Sequence, residues 1–113
     1  MIRVRTVDET DPMPNPHDVA ARELQDSEHA QVVHLTLQPG EGLKPHITPV
    51  DVCFYVLHGH GRVDIGEEQR EVGAGALVES PADIRHRWEN TGDEPLAVLV
   101  IKTPRPTSQT RLL

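Results

Sequence analysis

Two histidines that follow turn-forming residues give the first indication of chemistry. The stretch PGEGLKPHITPVDVCFYVLHGHG, residues 39–61, joins a glycine turn, His46, a run of strand-forming residues and a second glycine turn. His86 lies in a second such stretch, GALVESPADIRHRWEN, residues 75–90. Neutral imidazole binds divalent transition metals, and Zn, Ni, Mn or Fe are the candidates. One His from each of two strands could therefore share one metal ion.

The elements that would carry these histidines are short strands. QVVHLTLQ alternates, with Val33, Leu35 and Leu37 on one face of a predicted strand. GRVDIGEEQREVG predicts a hairpin around Gly66 and Glu67. Ten prolines and eight glycines punctuate the chain, and no long helix is apparent. About seven or eight strands result, which favours an all-β sandwich or small barrel.

The two ends of the chain differ from its centre. Residues 1–30 are predicted to form an N-terminal arm, because the prolines of DPMPNP exclude a regular element there. PHDVAARELQD is compatible with a helix start, but an edge strand is favoured. Residues 31–103 form the expected barrel, and the Pro-interrupted tail, residues 104–113, is expected to lie on the surface or fray.

Length and charge limit the function classes. The 113 residues suit one domain with one core. A net charge of -7 argues against nucleic acid and anionic membrane surfaces as partners. No apolar run approaches a membrane span, and the first residues lack the apolar region of a signal peptide, so a cytoplasmic location is expected. The single Cys53 allows no internal disulfide and is interpreted as a buried free thiol.

The first stretch resembles the first sequence motif of the cupin superfamily, in the form found in small stand-alone single-domain cupins. Gly40, His46 and Gly59 stand where that motif has its first glycine, its first histidine and its last glycine. The motif's second histidine and its glutamate are replaced by Thr48 and Val52.

The second stretch resembles the second cupin motif more closely. Gly75, Pro81, His86 and Asn90 fall at that motif's spacing, and Asp83 replaces a glycine. The resemblance implies a cupin double-stranded β-helix, that is, a jelly-roll barrel of two antiparallel sheets. It also implies a metal site of three histidines and one glutamate. Only His46 and His86 of that set are present, so the expected site is depleted, and whether these two hold a labile divalent ion stays open.

Several further residues are candidates for the site. Strand alternation places Asp51 on the face opposite to Val52, unless a bulge intervenes. Glu79, His58 and His60 are more typical of rim or solvated positions, but the roles of these three and of Asp51 stay open. His17, His29 and His34 are interpreted as surface or packing residues. The predicted ligand pocket consists of His46, Thr48, Val52, Phe54, His86 and Trp88, where Trp88 is equally compatible with core packing.

Three hypotheses for function follow. The first is a protein that binds an unknown small molecule in its barrel, because the apolar Val52 and Phe54 make the interior drier than a metal site would be. The second is a metal-dependent enzyme of the dioxygenase or sugar isomerase type with a non-standard third ligand. The third is a structural or regulatory dimerisation module. The resemblance implies a homodimer, with the N-terminal arm and the LAVLVIK strand as interface candidates; whether the protein is an enzyme stays open.

Overall fold

The computed structural model describes all 113 residues and contains ten strands and no helix. No helix is therefore present that could span a membrane. The strands are β1 (Ala20–Asp26), β2 (Gln31–Leu37), β3 (His46–Ile47), β4 (Asp51–His58), β5 (His60–Ile65), β6 (Glu68–Gly73), β7 (Leu77–Ser80), β8 (His86–Glu89), β9 (Leu96–Thr103) and β10 (Arg111–Leu112).

These strands form two five-stranded sheets. The first has the order β1-β2-β9-β4-β7 and the second has the order β10-β3-β8-β5-β6. Every strand pair is antiparallel. The all-β fold of two antiparallel sheets is thus confirmed, and so is the predicted hairpin, since β5 and β6 pair across Gly66 and Glu67.

Side-chain alternation builds the core between the sheets. The predicted inward residues of β2, Val33, Leu35 and Leu37, are buried, whereas the residues between them are only partly so. The same alternation buries the even-numbered residues at the start of β9 and of β4. Cys53, expected to be buried, is only half-buried, because this alternation turns it to the outer face of β4.

Two turn positions have strict backbone requirements. Gly59 has a φ of +82°, and a Cβ there would lie 2.4 Å from the carbonyl oxygen of Pro95. Asp83, at the glycine position of the second motif, has a φ of +63°. Asp tolerates this left-handed region better than most residues. The substitution therefore keeps the backbone conformation that leads into β8.

Both ends of the chain fold back onto the barrel. β1 occupies the stretch for which helix and strand were both compatible, and it forms an edge of the first sheet. Ahead of it, the N–H of Met13 donates to the carbonyl oxygen of Ala21 over 2.8 Å, which holds the proline-rich segment against β1. At the other end, β10 pairs with β3, next to His46.

Candidate functional site

A cavity of about 160 Å³ lies inside the barrel, between the two sheets. Side chains from both sheets and from both termini line it. Its lining residues are Met13, Pro14, Asn15, Pro16, His17, Ala21, Val33, Leu35, Leu43, His46, Thr48, Val52, Phe54, His86, Val100, Lys102 and Thr110. Apolar side chains therefore form much of the wall, and its polar part includes three histidines, two threonines and one lysine.

The two motif histidines lie next to each other in this cavity. His46 on β3 is the register partner of His86 on β8. Their ring centroids are 4.5 Å apart at an interplanar angle of 69°. Both side chains are buried, His46 at 6% and His86 at 2% exposure. The structure thus brings together the two imidazoles that the sequence motifs paired.

Hydroxyl groups hold His86 on both sides of its ring. The Ser80 Oγ lies 2.7 Å from Nδ1, and the Thr48 Oγ1 lies 3.2 Å from Nε2. Both hydroxyl side chains are buried. Because a hydroxyl can donate or accept, this arrangement suits either neutral tautomer of His86. Ser80 does not line the cavity, so its contact orients the imidazole.

A backbone carbonyl selects the tautomer of His46. The Nδ1 of His46 lies 2.7 Å from the carbonyl oxygen of Lys44. A carbonyl oxygen only accepts, so Nδ1 carries the proton and donates it. In the neutral ring, Nε2 therefore has a free lone pair.

His17 is a third imidazole in the same cavity. It comes from the N-terminal arm, and its ring centroid lies 4.7 Å from that of His46. Its Nδ1 accepts the backbone N–H of Lys44 over 3.0 Å, so neutral His17 carries its proton on Nε2. The sequence-based interpretation of His17 as a surface or packing residue missed this position. His17 lies in a loop outside both motifs, and no local pattern indicates that the loop covers the barrel.

Lys102 is the second cavity residue that sequence reasoning missed. The inward face of β9 begins with the buried Leu96 and Val98 and continues through Val100 to Lys102. The alternation of LAVLVIK was a usable signal, because it places the lysine on the same face as the core residues.

Burial shifts the basic groups of the cavity towards their neutral forms. Burial, assisted by neighbouring cationic groups, lowers the pKa of His17 to about 4 and that of His86 to about 3. Burial also lowers the pKa of His46, against the opposing effect of the Lys44 carbonyl. The pKa of Lys102 is lowered by burial and raised in part by the Glu23 carboxylate. At neutral pH the cavity therefore contains neutral imidazoles.

The donor set does not assemble a metal centre. His46 offers one free nitrogen, whereas both nitrogens of His86 already have hydroxyl partners. The Nδ1 of His17 accepts a backbone N–H, so its Nε2 carries the proton and has no free lone pair. Thr48 and Val52 occupy the positions of the missing family ligands, and no carboxylate lines the cavity. No three His, Cys, Asp or Glu side chains are arranged to hold an ion. Stable protein sites usually supply at least three ligands, so the residues present do not fit the expected metal.

Of the other residues predicted to form the pocket, three line the cavity wall and one belongs to the hydrophobic core. Thr48, Val52 and Phe54 line the cavity. Trp88 does not: it is fully buried and packs against Phe54, with ring centroids 5.5 Å apart. The structure therefore favours core packing for Trp88.

The four residues whose roles were left open lie outside the cavity. Asp51 is exposed and accepts the backbone N–H of Ala82 over 2.9 Å. His60 pairs with Glu71, with 2.9 Å between Nε2 and Oε2. The remaining two, His58 and Glu79, are exposed.

Comparison with known proteins identifies the class. Residues 33–102 match the family model described as a cupin domain. The chain therefore belongs to the Cupin_2 family of cupin domains, as the two motifs predicted.

Similar individual proteins include both curated sequences and solved structures. The chain is 37% identical over 59 residues to "Polyketide synthase CurC" of Streptomyces cyaneus, covering 51% of this chain and 38% of that one. The matched segments span only 38% to 55% of the curated relatives' own length. The protein TT1209 of Thermus thermophilus has a TM-score of 0.79 at 27% identity, covering 93% of this chain and all of that one.

A further structural neighbour is the polyketide cyclase RemF of Streptomyces resistomycificus. Its TM-score is 0.84 at 17% identity, and the match covers 100% of this chain and 86% of that one. At this identity the likeness concerns the fold alone. The neighbours confirm the double-stranded β-helix, a fold that supports many different functions.

Proposed function

We propose that this protein binds a small, partly apolar molecule inside its barrel. The observation that carries the proposal is the cavity, whose apolar wall surrounds a few convergent polar groups. Phe54, Leu35 and Val100 offer an apolar surface, and the imidazoles of His17 and His46 offer hydrogen bonds. Such a combination of apolar walls and few polar groups is typical of small-molecule sites.

The arm of residues 13–17 belongs to the same site. These residues contribute to the cavity wall, and the segment is held by the hydrogen bond from Met13 to Ala21 and by the one from Lys44 to His17. A cavity of about 160 Å³ accepts a ligand of one small ring. A larger ligand would extend through the open side of the cavity or displace the arm, and displacement would break these two hydrogen bonds.

The test is capture of a ligand by the intact protein. Native mass spectrometry of protein incubated with a fragment library of one-ring molecules would detect bound species. Val100→Phe fills the cavity, and Val32→Phe makes the same change on the outward face of neighbouring β2. We expect binding by the wild type and by Val32→Phe, and loss in Val100→Phe. No binding to the wild type, or equal binding to Val100→Phe, would refute the proposal.

A second candidate function is acid–base chemistry on a carbonyl-rich molecule. Two observations favour it: the name of the similar curated protein CurC refers to polyketide chemistry, and His46 has a free Nε2 lone pair. A neutral imidazole can accept a proton from carbon next to a carbonyl group. The metal-dependent alternative lacks this support, because the donor set offers no third ligand.

Proton exchange tests this candidate without knowledge of the natural substrate. Acetylacetone in deuterated buffer loses its acidic C–H signal in a proton NMR spectrum as exchange proceeds. We expect the wild-type protein to accelerate exchange and His46→Gln to remove the acceleration. An equal rate with the wild type, with His46→Gln and with buffer alone would refute catalysis while leaving binding intact.

A further inference from the structure

Lys102 occupies a position on β9 where the alternation would otherwise place a core residue. Leu96 and Val98 on the same face are fully buried, and Lys102 continues their row into the cavity. Burial of a lysine is costly unless its ammonium group has a partner. Lys102 is half-buried, and packing alone does not explain a charged side chain on this face.

Lys102 has no direct partner for its ammonium group. It forms no ion pair and no side-chain hydrogen bond with any residue. The nearby Glu23 influences Lys102 through its charge but does not line the cavity, and its carboxylate already accepts a hydrogen bond from Gln31 over 2.7 Å. Glu23 therefore offsets the charge of Lys102 only at a distance, and no counter-charge contacts its ammonium group inside the cavity.

The rest of the wall supports an anion rather than a cation. Among the lining residues, Lys102 is the one that is ordinarily charged at neutral pH, and none is Asp or Glu. His17 presents an N–H at Nε2, because its Nδ1 accepts from the backbone of Lys44. A hydrogen-bond donor and a cationic group in one partly apolar cavity suit an acidic oxygen.

The apolar part of the wall limits the body of such a ligand. Phe54, Val52, Leu35 and Val100 line the cavity. An apolar cavity of about 150 Å³ is large enough for benzene, and this cavity measures about 160 Å³. One ring, or a branched chain of similar size, fills it.

We propose that the cavity binds a small monoanionic organic acid, with its carboxylate or acidic enol oxygen at Lys102 and its apolar body against Phe54. This inference rests on the proposed function and specifies its ligand class. It assigns Lys102 as the residue that distinguishes anionic ligands from neutral ones.

The experiment compares benzoate with benzamide, which has nearly the same shape but no charge. Dissociation constants would be measured by NMR titration with the wild type, Lys102→Met and Lys102→Arg. The control is an exposed cationic residue away from the cavity, Arg70 on β6. Arg70→Met changes the net charge by the same amount as Lys102→Met. Circular dichroism would establish that each variant is folded.

We expect the wild type to prefer benzoate by about tenfold or more, the effect of one charge-assisted hydrogen bond. Lys102→Met should abolish this preference while still binding benzamide, and Lys102→Arg and Arg70→Met should retain it. Equal affinity of the wild type for both probes would overturn the anionic ligand class but leave the proposed function standing. Loss of the preference in Arg70→Met as well would overturn the role of Lys102. Failure of both probes to bind would overturn the proposed function and this inference with it.

Discussion

The rings of His46 and His86 lie 4.5 Å apart because the two residues are direct register partners on β3 and β8. The two cupin motifs thus keep one histidine each, although the two other family ligands have been replaced. In their place, Thr48 bonds to His86, and Val52 joins the apolar wall. At these two positions, Thr48 therefore satisfies a ring nitrogen of His86, and Val52 makes the cavity wall more apolar.

Ser80→Ala should destabilise the protein. The buried hydroxyl bonds to Nδ1 of His86, and its removal leaves a buried ring nitrogen without that partner. A loss of about 1–3 kcal/mol in the free energy of unfolding is expected, measured by urea denaturation. Ser108→Ala, at an exposed position, is the control and should change little. Equal stability of the two variants would contradict the role assigned to Ser80.

Restoring the family ligands should restore metal binding. Thr48→His with Val52→Glu recreates three histidines and one glutamate at the motif positions, enough ligands for a stable divalent site. Elemental analysis of protein purified without chelator should give near-stoichiometric metal for the double variant and much less for the wild type. The triple variant that adds His86→Ala should lose the metal. Stoichiometric metal in the wild type, removed by His46→Ala with His86→Ala, would reject the present interpretation of the donor set.

Stability should fall on mild acidification. His86 and His17 have folded-state pKa values of about 3 and about 4, below the value of about 6.5 in the unfolded chain. Lowered basic pKa values mean that the unfolded state binds more protons. Stability is therefore complete above about pH 6.5 and decreases towards about pH 3. The loss is on the order of a few kcal/mol and comes mainly from His86, because His17 is only half-buried and solvent screens its contribution.

Urea denaturation at several pH values would measure this slope. His46 and Lys102 also face the two histidines and contribute to the pKa shift of His86. His86→Gln should flatten the slope between pH 6.5 and pH 4, while His29→Gln, at an exposed position, should leave it unchanged. A slope that is the same in the wild type and in both variants would contradict the prediction.

Asp83→Gly should stabilise the protein modestly. Asp83 has a φ of +63°, which glycine adopts without strain. The backbone N–H of Asp83 donates to the carbonyl oxygen of Thr48 over 2.9 Å, and glycine retains this bond. An increase of about 0.5–1 kcal/mol in unfolding free energy is expected. Asp83→Val should instead destabilise, since a β-branched residue opposes positive φ; the reverse order would show that strain at this turn is unimportant.

The homodimer stays a prediction, and the fold limits which surfaces could form its interface. β9 pairs with β2 on one side and β4 on the other, so the LAVLVIK strand has no free edge for strand exchange. Its outer face is available: Leu99, Tyr55 and Leu77 are consecutive register partners across β9, β4 and β7. We predict that this row forms the contact between two copies.

Light scattering after size-exclusion chromatography tests whether this row forms the dimer contact. Tyr55 and Leu77 are 38% and 58% exposed, so Leu77→Asp should reduce the mass from dimer to monomer without unfolding the barrel. Ile84→Asp, at a similarly exposed apolar residue outside the row, is the control. A dimeric Leu77→Asp variant, or a wild-type monomer, would contradict the prediction.

Much of the fold and half of the site were determined by the sequence itself. Alternation in QVVHLTLQ identified the buried face of β2, and the motif spacing predicted that His46 and His86 share a cavity. The replacements at Thr48 and Val52 were sufficient to indicate a depleted ligand set. The inferences on β2 and on the histidine pair worked because strand periodicity and turn residues act locally, through neighbours two or three positions away.

Tertiary structure alone decided the remainder of the site. His17 reaches His46 because the proline-rich arm folds over the barrel, a placement set by hydrogen bonds to Ala21 and Lys44 that no local pattern indicates. Trp88 shares a face with His86, yet packing against Phe54 places it outside the cavity. Strand alternation placed Lys102 on the same face of β9 as the core residues. That this end of β9 lines a cavity was decided by the assembled barrel, because the shape of a cavity depends on where distant segments meet.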